Sequence, residues 1–352
     1  MLFSIDEDAG SHIIGWLMPD NPNSSPTVHV LTGSDVLAVE AAVYRPLLKD
    51  QGLHNTGICG FVINSSNFPE LATVQNLSIV DSATGVLLYR RTDAPSVKKR
   101  LLYVETSIWP IAKISDLIGD RFQMPYKGVD QYNEETIRAI FGISFSDSIF
   151  VSGRLFIKQF DYLYRDRGFR TSILLRDPFE ELAERILILN WMRDRQDAPV
   201  FNRIARELKV ASSKLPALDL ASTESVSEVL GDMTEDVRNV LYNPVARQLS
   251  TRFDQDHLDP AAVAISLDTL SLFDIVGVRS DVSDFMQCIG TTIDQMTPAP
   301  TIASQPSDKI IKGAQVLRET PIASELVRYD HAIFEALVAA RNKVLKETKN
   351  SG

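Results

Sequence analysis

The stretch Ser172-Ile-Leu-Leu-Arg-Asp-Pro-Phe-Glu-Glu181 decides the fold of this chain. An apolar run ends at Arg176, and a helical pattern begins directly after Asp177 and Pro178. The pattern predicts a buried strand that ends in an arginine and leads into a helix N-terminus. Ligands of open α/β sheets bind at the carboxyl ends of the strands, and helix N-termini attract anions. We therefore expect Arg176 to lie where a phosphate or a sulfate would bind.

The overall composition is that of an ordinary globular protein. A length of 352 residues suggests two domains, with 44% hydrophobic and 23% charged residues. The net charge of −10 argues against broad nucleic-acid binding, which requires a basic face. No apolar run is long enough to span a bilayer, and the acidic start does not resemble a signal peptide. These features predict a cytoplasmic protein without a membrane span.

The cysteines and histidines do not form a recognisable cluster. Cys59 and Cys288 are far apart and flanked by apolar residues. They could form a disulfide or remain two buried thiols, and a cytoplasmic protein favours the thiols. The five histidines are scattered, and no spacing is typical of a zinc site. We therefore predict no metal site.

The chain divides into three parts by its pattern. Residues 1–92 contain short, evenly spaced strand patterns separated by turn residues, which predicts an all-β sandwich domain. Residues 93–100 form a polar linker with a proline and three final basic residues. Residues 101–352 begin with alternating strand and helix patterns and become mainly helical. This alternation predicts an α/β domain with a parallel sheet covered by helices.

Several segments of the second part occur in a characteristic order. They are Lys99–Phe122, Phe150–Phe156, Thr171–Glu181, Tyr242–Ser250, Phe273–Asp281 and Tyr329–Phe334. In this order they resemble segments of the carbohydrate sulfotransferase family. The resemblance covers roughly 99–345. It implies a P-loop-like sulfotransferase fold and the donor 3′-phosphoadenosine 5′-phosphosulfate.

The first part carries a resemblance of its own. Gly15–Pro22, Tyr44–Leu53, Gly60-Phe61 and Asp81–Gly85 are similar to a small β-domain. This domain is found beside bacterial glycosyltransferases and sulfotransferases of surface-polysaccharide pathways. The resemblance implies a glycan or polysaccharide acceptor and a glycosyltransferase as a partner.

The sulfotransferase resemblance assigns roles to individual residues. It implies donor binding by Arg176, Thr106, Ser107 and Lys113, and substrate binding by Arg154 and Arg247. Each arginine also has a structural interpretation. Arg176 could pair with Asp177 or Glu180, Arg154 with a surface carboxylate, and Arg247 with any nearby acid.

The chain departs from the family at positions that would bind the donor or supply the catalytic base in sulfuryl transfer. The loop Glu105-Thr-Ser-Ile-Trp-Pro110 has no glycine or lysine to hold a phosphosulfate, and Pro110 lacks an N–H donor. Arg154 stands where many members have a histidine, and a guanidinium cannot act as a base. Glu184 stands where a serine would bind the 3′-phosphate, and a carboxylate repels phosphate. No residue is identified as the catalytic base.

Three functions therefore remain open from the sequence. The first is a sulfotransferase that transfers a sulfuryl group from the nucleotide donor to a glycan hydroxyl. The second is a non-catalytic relative that binds a glycan or a partner protein. The third is a transferase that uses another donor on the same fold. The pair Asp330-His331 on the last predicted helix is interpreted as a solvent-exposed face.

Overall fold

The computed structural model describes residues 1–21, 24–33, 35–108, 114–195, 206–253, 256–294 and 306–350, with side chains described to residue 343. The described residues form a mixed α/β protein. Antiparallel sheets occupy the N-terminal part, and a five-stranded parallel sheet with helices follows.

The N-terminal part consists of two four-stranded antiparallel sheets. The first has the strand order β1-β2-β6-β5 and the second the order β4-β3-β7-β8. Their buried side chains belong to one hydrophobic core. The elements are β1 (Leu2–Asp8), β2 (His12–Met18), β3 (Thr27–Thr32), β4 (Asp35–Glu40), β5 (Val43–Tyr44), α1 (Pro46–Asp50), β6 (Ile58–Asn64), β7 (Leu77–Asp81) and β8 (Leu87–Arg91).

The parallel sheet begins with β9 in its centre. Its order is β10-β11-β9-β12-β13, and every neighbouring pair is parallel. The chain runs from β9 toward β10 on one side of the sheet and from β12 toward β13 on the other side. Because the two connections diverge, a crevice forms between the carboxyl ends of β9 and β12. The elements are β9 (Arg100–Val104), α2 (Ile114–Gly119), β10 (Met124–Lys127), α3 (Glu134–Gly142), β11 (Ile149–Gly153), α4 (Ile157–Asp166), β12 (Arg170–Leu175), α5 (Pro178–Arg193) and β13 (Ile275–Val278).

Helices make up most of the remaining chain. They form a second hydrophobic core around α5, to which α6, α7, α8, α12 and α13 contribute buried side chains. The helices are α6 (Arg206–Lys214), α7 (Thr223–Gly231), α8 (Glu235–Leu241), α9 (Pro244–Ser250), α10 (Ala261–Ser271), α11 (Val282–Thr292), α12 (Asp308–Arg318), α13 (Pro321–Leu326) and α14 (Arg328–Asn350).

The N-terminal sheets contact one edge of the parallel sheet. The Tyr126 hydroxyl on β10 donates a hydrogen bond to the Leu87 carbonyl at 3.0 Å. Nearby, Gln123 Nε2 donates to the Arg90 carbonyl at 2.7 Å. The division at 93–100 into separate domains remains a prediction.

The two cysteines differ in their surroundings. Both thiols are free, Cys59 is buried and Cys288 is exposed. The prediction that both thiols are buried is therefore wrong for Cys288. Its helix α11 turns Phe285, Met286 and Ile289 to the core, which leaves position 288 on the outer face.

Candidate functional site

Four strands of the parallel sheet end at one edge, and a charged residue follows each of them. The strand register pairs Val104 with Gly153 and Leu175 with Val278. The residues that follow are therefore neighbours along this edge: Glu105, Arg154, Arg176 and Arg279. Because ligands of such sheets bind at the carboxyl ends of the strands, this edge is the candidate functional site.

Arg176 lies at this edge, but its charge is already matched within the protein. Its side chain is only 1% exposed. Nη1 donates a short hydrogen bond to the Glu184 carboxylate and lies 3.0 Å from Glu181 Oε2. The Ser107 hydroxyl donates to the same Glu184 oxygen at 3.0 Å. Arg176 and Ser107 thus both bond to the Glu184 carboxylate, which lies between them.

Neither Asp177 nor Glu180, the partners that the sequence suggested, forms a close ion pair with Arg176 in the described structure, and Glu180 interacts with its charge only at longer range. Asp177 instead caps helix α5, because its Oδ1 accepts hydrogen bonds from the backbone N–H groups of Phe179 and Glu180. Its other oxygen pairs with Arg318 at 2.6 Å. The partners of Arg176, Glu181 and Glu184, come from the first and second turns of the helix.

Arg279 is a site residue that the sequence reasoning missed. It follows β13, and both its Nε and its Nη1 are buried with no hydrogen-bond partner among the described residues. The same is true of Nε and Nη2 of Arg176. Burial lowers the pKa of Arg279, and the positive charge of Arg176 lowers it further. The sequence does contain a signal for Arg279, because the apolar residues of β13 end in an arginine just as those of β12 end in Arg176.

The described residues that follow β9 bond to other groups of the protein. Glu105 is 6% exposed, and its carboxylate accepts a short hydrogen bond from Ser115. Burial raises the pKa of Glu105 to about 7, and the charge of Asp130 adds to the increase. Thr106 is buried, and its carbonyl accepts a short hydrogen bond from Arg185. The predicted donor-binding residue Lys113 lies outside the described residues, with Trp109 and Pro110.

Arg154 is held rigidly by Asp130. Its Nε and Nη2 donate to Asp130 Oδ2 at 3.1 and 3.0 Å, and its backbone N–H donates to Oδ1 at 3.1 Å. Gly153 permits this approach, since a Cβ there would lie 2.8 Å from Asp130 Oδ1 and 2.9 Å from the Val129 nitrogen. Asp130 is therefore the carboxylate partner that the structural interpretation of Arg154 expects. It fixes the position of the guanidinium at the edge of the sheet.

A cleft of about 760 Å³ opens beside Arg154. This volume falls within the range of about 300–1,000 Å³ that is common for ligand pockets. Apolar and aromatic side chains, three amides and several charged groups share its walls. The lining includes Asp130, Tyr132, Glu134, Arg154, Phe156, Gln159, Phe160, Arg185, Arg206, Glu207, Leu208, Val210, Asp236, Asn239, Val240, Arg247 and Gln248.

The wall formed by α9 places the second predicted substrate-binding arginine in this cleft. Arg247 Nη1 donates to the Asp256 carbonyl at 3.2 Å, and the guanidinium lies over the Tyr242 ring. Its neighbour Gln248 donates from Nε2 to the Glu105 carbonyl at 2.8 Å. Gln248 Oε1 is buried and has no hydrogen-bond partner among the described residues. Arg154, Arg247 and Gln248 thus line one cleft.

The position of this wall depends on the start of α14. Asp330 accepts hydrogen bonds from the backbone N–H groups of Val245 and Ala246 at 3.2 and 2.7 Å. In return, Asn243 Oδ1 accepts from the N–H groups of Tyr329 and Asp330. The expected solvent-exposed face is wrong for Asp330, which is 3% exposed because it ties α14 to α9. Burial raises the pKa of Asp330 to about 7.

Two comparisons with known proteins were negative. No protein-family model matches the chain, and no curated protein matches it. Among the described residues, no helix is long and apolar enough to cross a membrane. No group of three or more His, Cys, Asp or Glu side chains in the described parts could hold a metal ion. The candidate site is therefore defined by its geometry alone. The site consists of the buried ion pairs of Arg176 with Glu181 and Glu184, and of the open cleft beside Arg154.

Proposed function

We propose that this protein is a non-catalytic relative of the carbohydrate sulfotransferases, with a P-loop-like α/β domain, that binds a glycan in the cleft beside Arg154. In this proposal it acts in the cytoplasm on the modification of a bacterial surface polysaccharide. A glycosyltransferase of the same pathway is the proposed protein partner. The observation that carries the proposal is the position of the Glu184 carboxylate.

Glu184 accepts hydrogen bonds from both Arg176 and Ser107, two of the groups proposed to bind the donor. A donor phosphate would have to displace this carboxylate or lie beside it, and two like charges in a buried site repel each other. The protein itself therefore compensates the charge of Arg176 and accepts the hydrogen bond of Ser107. This arrangement favours a binding protein over a transferase that turns over a phosphosulfate.

The cleft supports glycan binding by the chemistry of its walls. The side chains of Gln159 and Asn239 line it without a hydrogen-bond partner among the described residues. Amides can both donate to and accept from sugar hydroxyls. Tyr132 and Phe156 are partly exposed and supply aromatic surface on which the apolar face of a sugar ring can pack.

A glycan array with bacterial oligosaccharides, followed by calorimetric titration of the glycans that bind, tests this function. We expect the double variant Q159A/N239A to weaken binding at least tenfold. The matched control Q287A removes an exposed amide on α11, away from the cleft, and should bind as the wild type does. If no glycan binds, or if Q159A/N239A binds as tightly as wild type, the proposal is wrong.

An active sulfotransferase is the second candidate, and one observation favours it. Arg176 and Arg279 together present buried N–H groups without partners among the described residues, which is the environment an anion requires. Calorimetric titration with 3′-phosphoadenosine 5′-phosphate, on wild type and on R176A, separates the two candidates. Micromolar binding that is lost in R176A would establish a working donor site. The absence of binding at millimolar ligand would leave the glycan-binding protein.

A further inference from the structure

The charged groups of the cleft are largely matched by other protein groups. Each of the four lining carboxylates has a cationic partner. Asp130 and Glu207 both contact Arg154, Glu134 accepts from Arg138 at 2.8 Å, and Asp236 pairs with Lys214. A ligand therefore meets no unmatched carboxylate among the described lining residues.

The arginines of the cleft are also engaged. Arg154 is bound to Asp130 by two side-chain hydrogen bonds. Arg185 donates to Glu181 Oε1 at 2.9 Å and to the Val240 carbonyl at 3.2 Å. Arg247 donates to backbone carbonyls and lies over an aromatic ring. Arg206, on the exposed start of α6, forms no ion pair among the described residues, and solvent and salt screen its charge.

The neutral polar groups are the ones that lack partners. Gln159 and Asn239 make no side-chain hydrogen bond within the described residues, and Gln248 Oε1 is buried without one. A buried acceptor that finds no donor costs about 1–3 kcal/mol, so a ligand that donates to Gln248 would recover this energy. A sugar hydroxyl can make that donation, whereas a carboxylate or a sulfate has no hydrogen to give.

The charge of the whole protein acts in the same direction. A net charge of −10 repels a polyanion at long range and leaves a neutral chain unaffected. The net charge, the paired charges of the cleft and its amides without partners all favour a neutral glycan over an acidic one. Resting on the proposed function, we infer that the cleft recognises an uncharged, hydroxyl-rich oligosaccharide, with Gln248 Oε1 accepting a hydrogen bond from a ligand hydroxyl.

The test uses the full chain and a glycan array that holds neutral, uronate-containing and sulfated bacterial oligosaccharides of similar length. Titrations at low and high salt follow for the strongest binders. We expect the neutral glycans to bind at least tenfold more tightly than the acidic ones. Their affinity should change less than twofold with salt, because few ions are released when a neutral ligand binds.

The variant Q248E sharpens the test. It keeps an oxygen acceptor at position 248 and adds a negative charge, so it should weaken an acidic glycan more than a neutral one. If uronates or sulfated glycans bind more tightly than neutral ones, and in a salt-dependent way, the inference of a neutral ligand is wrong. The proposed glycan binding would still stand. If no glycan of any class binds, the proposed function fails and this inference fails with it.

Discussion

Glu181 and Arg185 form a buried ion pair one turn apart on α5, with 2.9 Å between Oε1 and Nε and only 4% of each side chain exposed. The second oxygen of Glu181 lies 3.0 Å from Arg176 Nη1. One carboxylate therefore stands between an arginine of the cleft and an arginine of the sheet edge.

The substitution E181Q should destabilise the protein strongly. It leaves two buried guanidinium groups with one fewer negative charge, and breaking a buried pair in this way costs about 3–5 kcal/mol. Urea unfolding followed by circular dichroism measures the effect. The control E228Q changes an exposed glutamate on α7 and should alter the free energy of unfolding by less than about 0.5 kcal/mol. Equal stability of E181Q and wild type would contradict the role of Glu181.

The substitution E184S should create an anion site. It removes the carboxylate that accepts from Arg176 and Ser107, and it restores the residue type that the resemblance implies at this position. We expect 3′-phosphoadenosine 5′-phosphate to bind E184S at least tenfold more tightly than wild type in calorimetric titration. The double variant R176A/E184S should lose that gain. If a folded E184S binds no better than wild type, Glu184 does not block the site.

The contribution of Glu105 to the stability of the fold should decrease as the pH rises from about 4.5 to about 7. Burial raises the pKa of Glu105 from 4.5 to about 7, so folding favours the protonated carboxyl group. This contribution is complete below the unfolded-state pKa and is lost as the pH rises through the folded-state pKa. The loss amounts to about 3 kcal/mol from Glu105.

The variant E105Q carries a neutral side chain at every pH and isolates this effect. At pH 5 it should have nearly the stability of wild type, and at pH 8 it should be more stable. Part of the pH dependence should remain, because burial also raises the pKa of Asp330 to about 7. Chemical unfolding of both proteins at the two pH values measures the difference. A wild-type protein that is more stable at pH 8 than E105Q would refute the assignment.

The substitution G153A should damage the cleft. Its Cβ would lie 2.8 Å from Asp130 Oδ1, and the backbone nitrogen of Val129 leaves no room on the other side. Asp130 must move, and Arg154 with it, so glycan affinity should fall at least tenfold. The control G142A meets nothing within 4 Å on α3 and should stabilise that helix by up to about 1 kcal/mol. Equal glycan binding by G153A and G142A would show that Arg154 is not required.

The sequence predicted the scaffold of the site well. The apolar run before Arg176 is β12, and the helical pattern that follows Asp177 is α5. Both follow from local patterns, a buried strand and a capped helix. Strands β1 and β2 were not predicted, and neither was β10. β10 has four residues, including a proline, which is tolerated because the strand lies at the sheet edge.

The chemistry of the site was harder to predict, because it depends on contacts between distant residues. Glu184 was recognised as unfavourable for a phosphate, but its hydrogen bond to Ser107 joins residues 77 positions apart. Arg279 becomes a neighbour of Arg176 only through the pairing of β12 with β13. Asp330 looked exposed on an amphipathic helix until the fold placed α9 against it. Local patterns in one sequence do not reveal such contacts between residues that are far apart in the chain.

The hydrogen bonds between Asp330 and α9 make the first turn of α14 a support for one wall of the cleft, although Asp330 lies 85 positions from Val245. Asn243 adopts a left-handed backbone conformation, with φ of 44°, that a non-glycine residue sustains only with support. The first turn of α14 supplies that support. A protein fragment that ends before Arg328 would therefore lose its ligand site before it lost its parallel sheet. Cleavage of the chain before Arg328, or a stop codon at that position, would act as an off switch for binding.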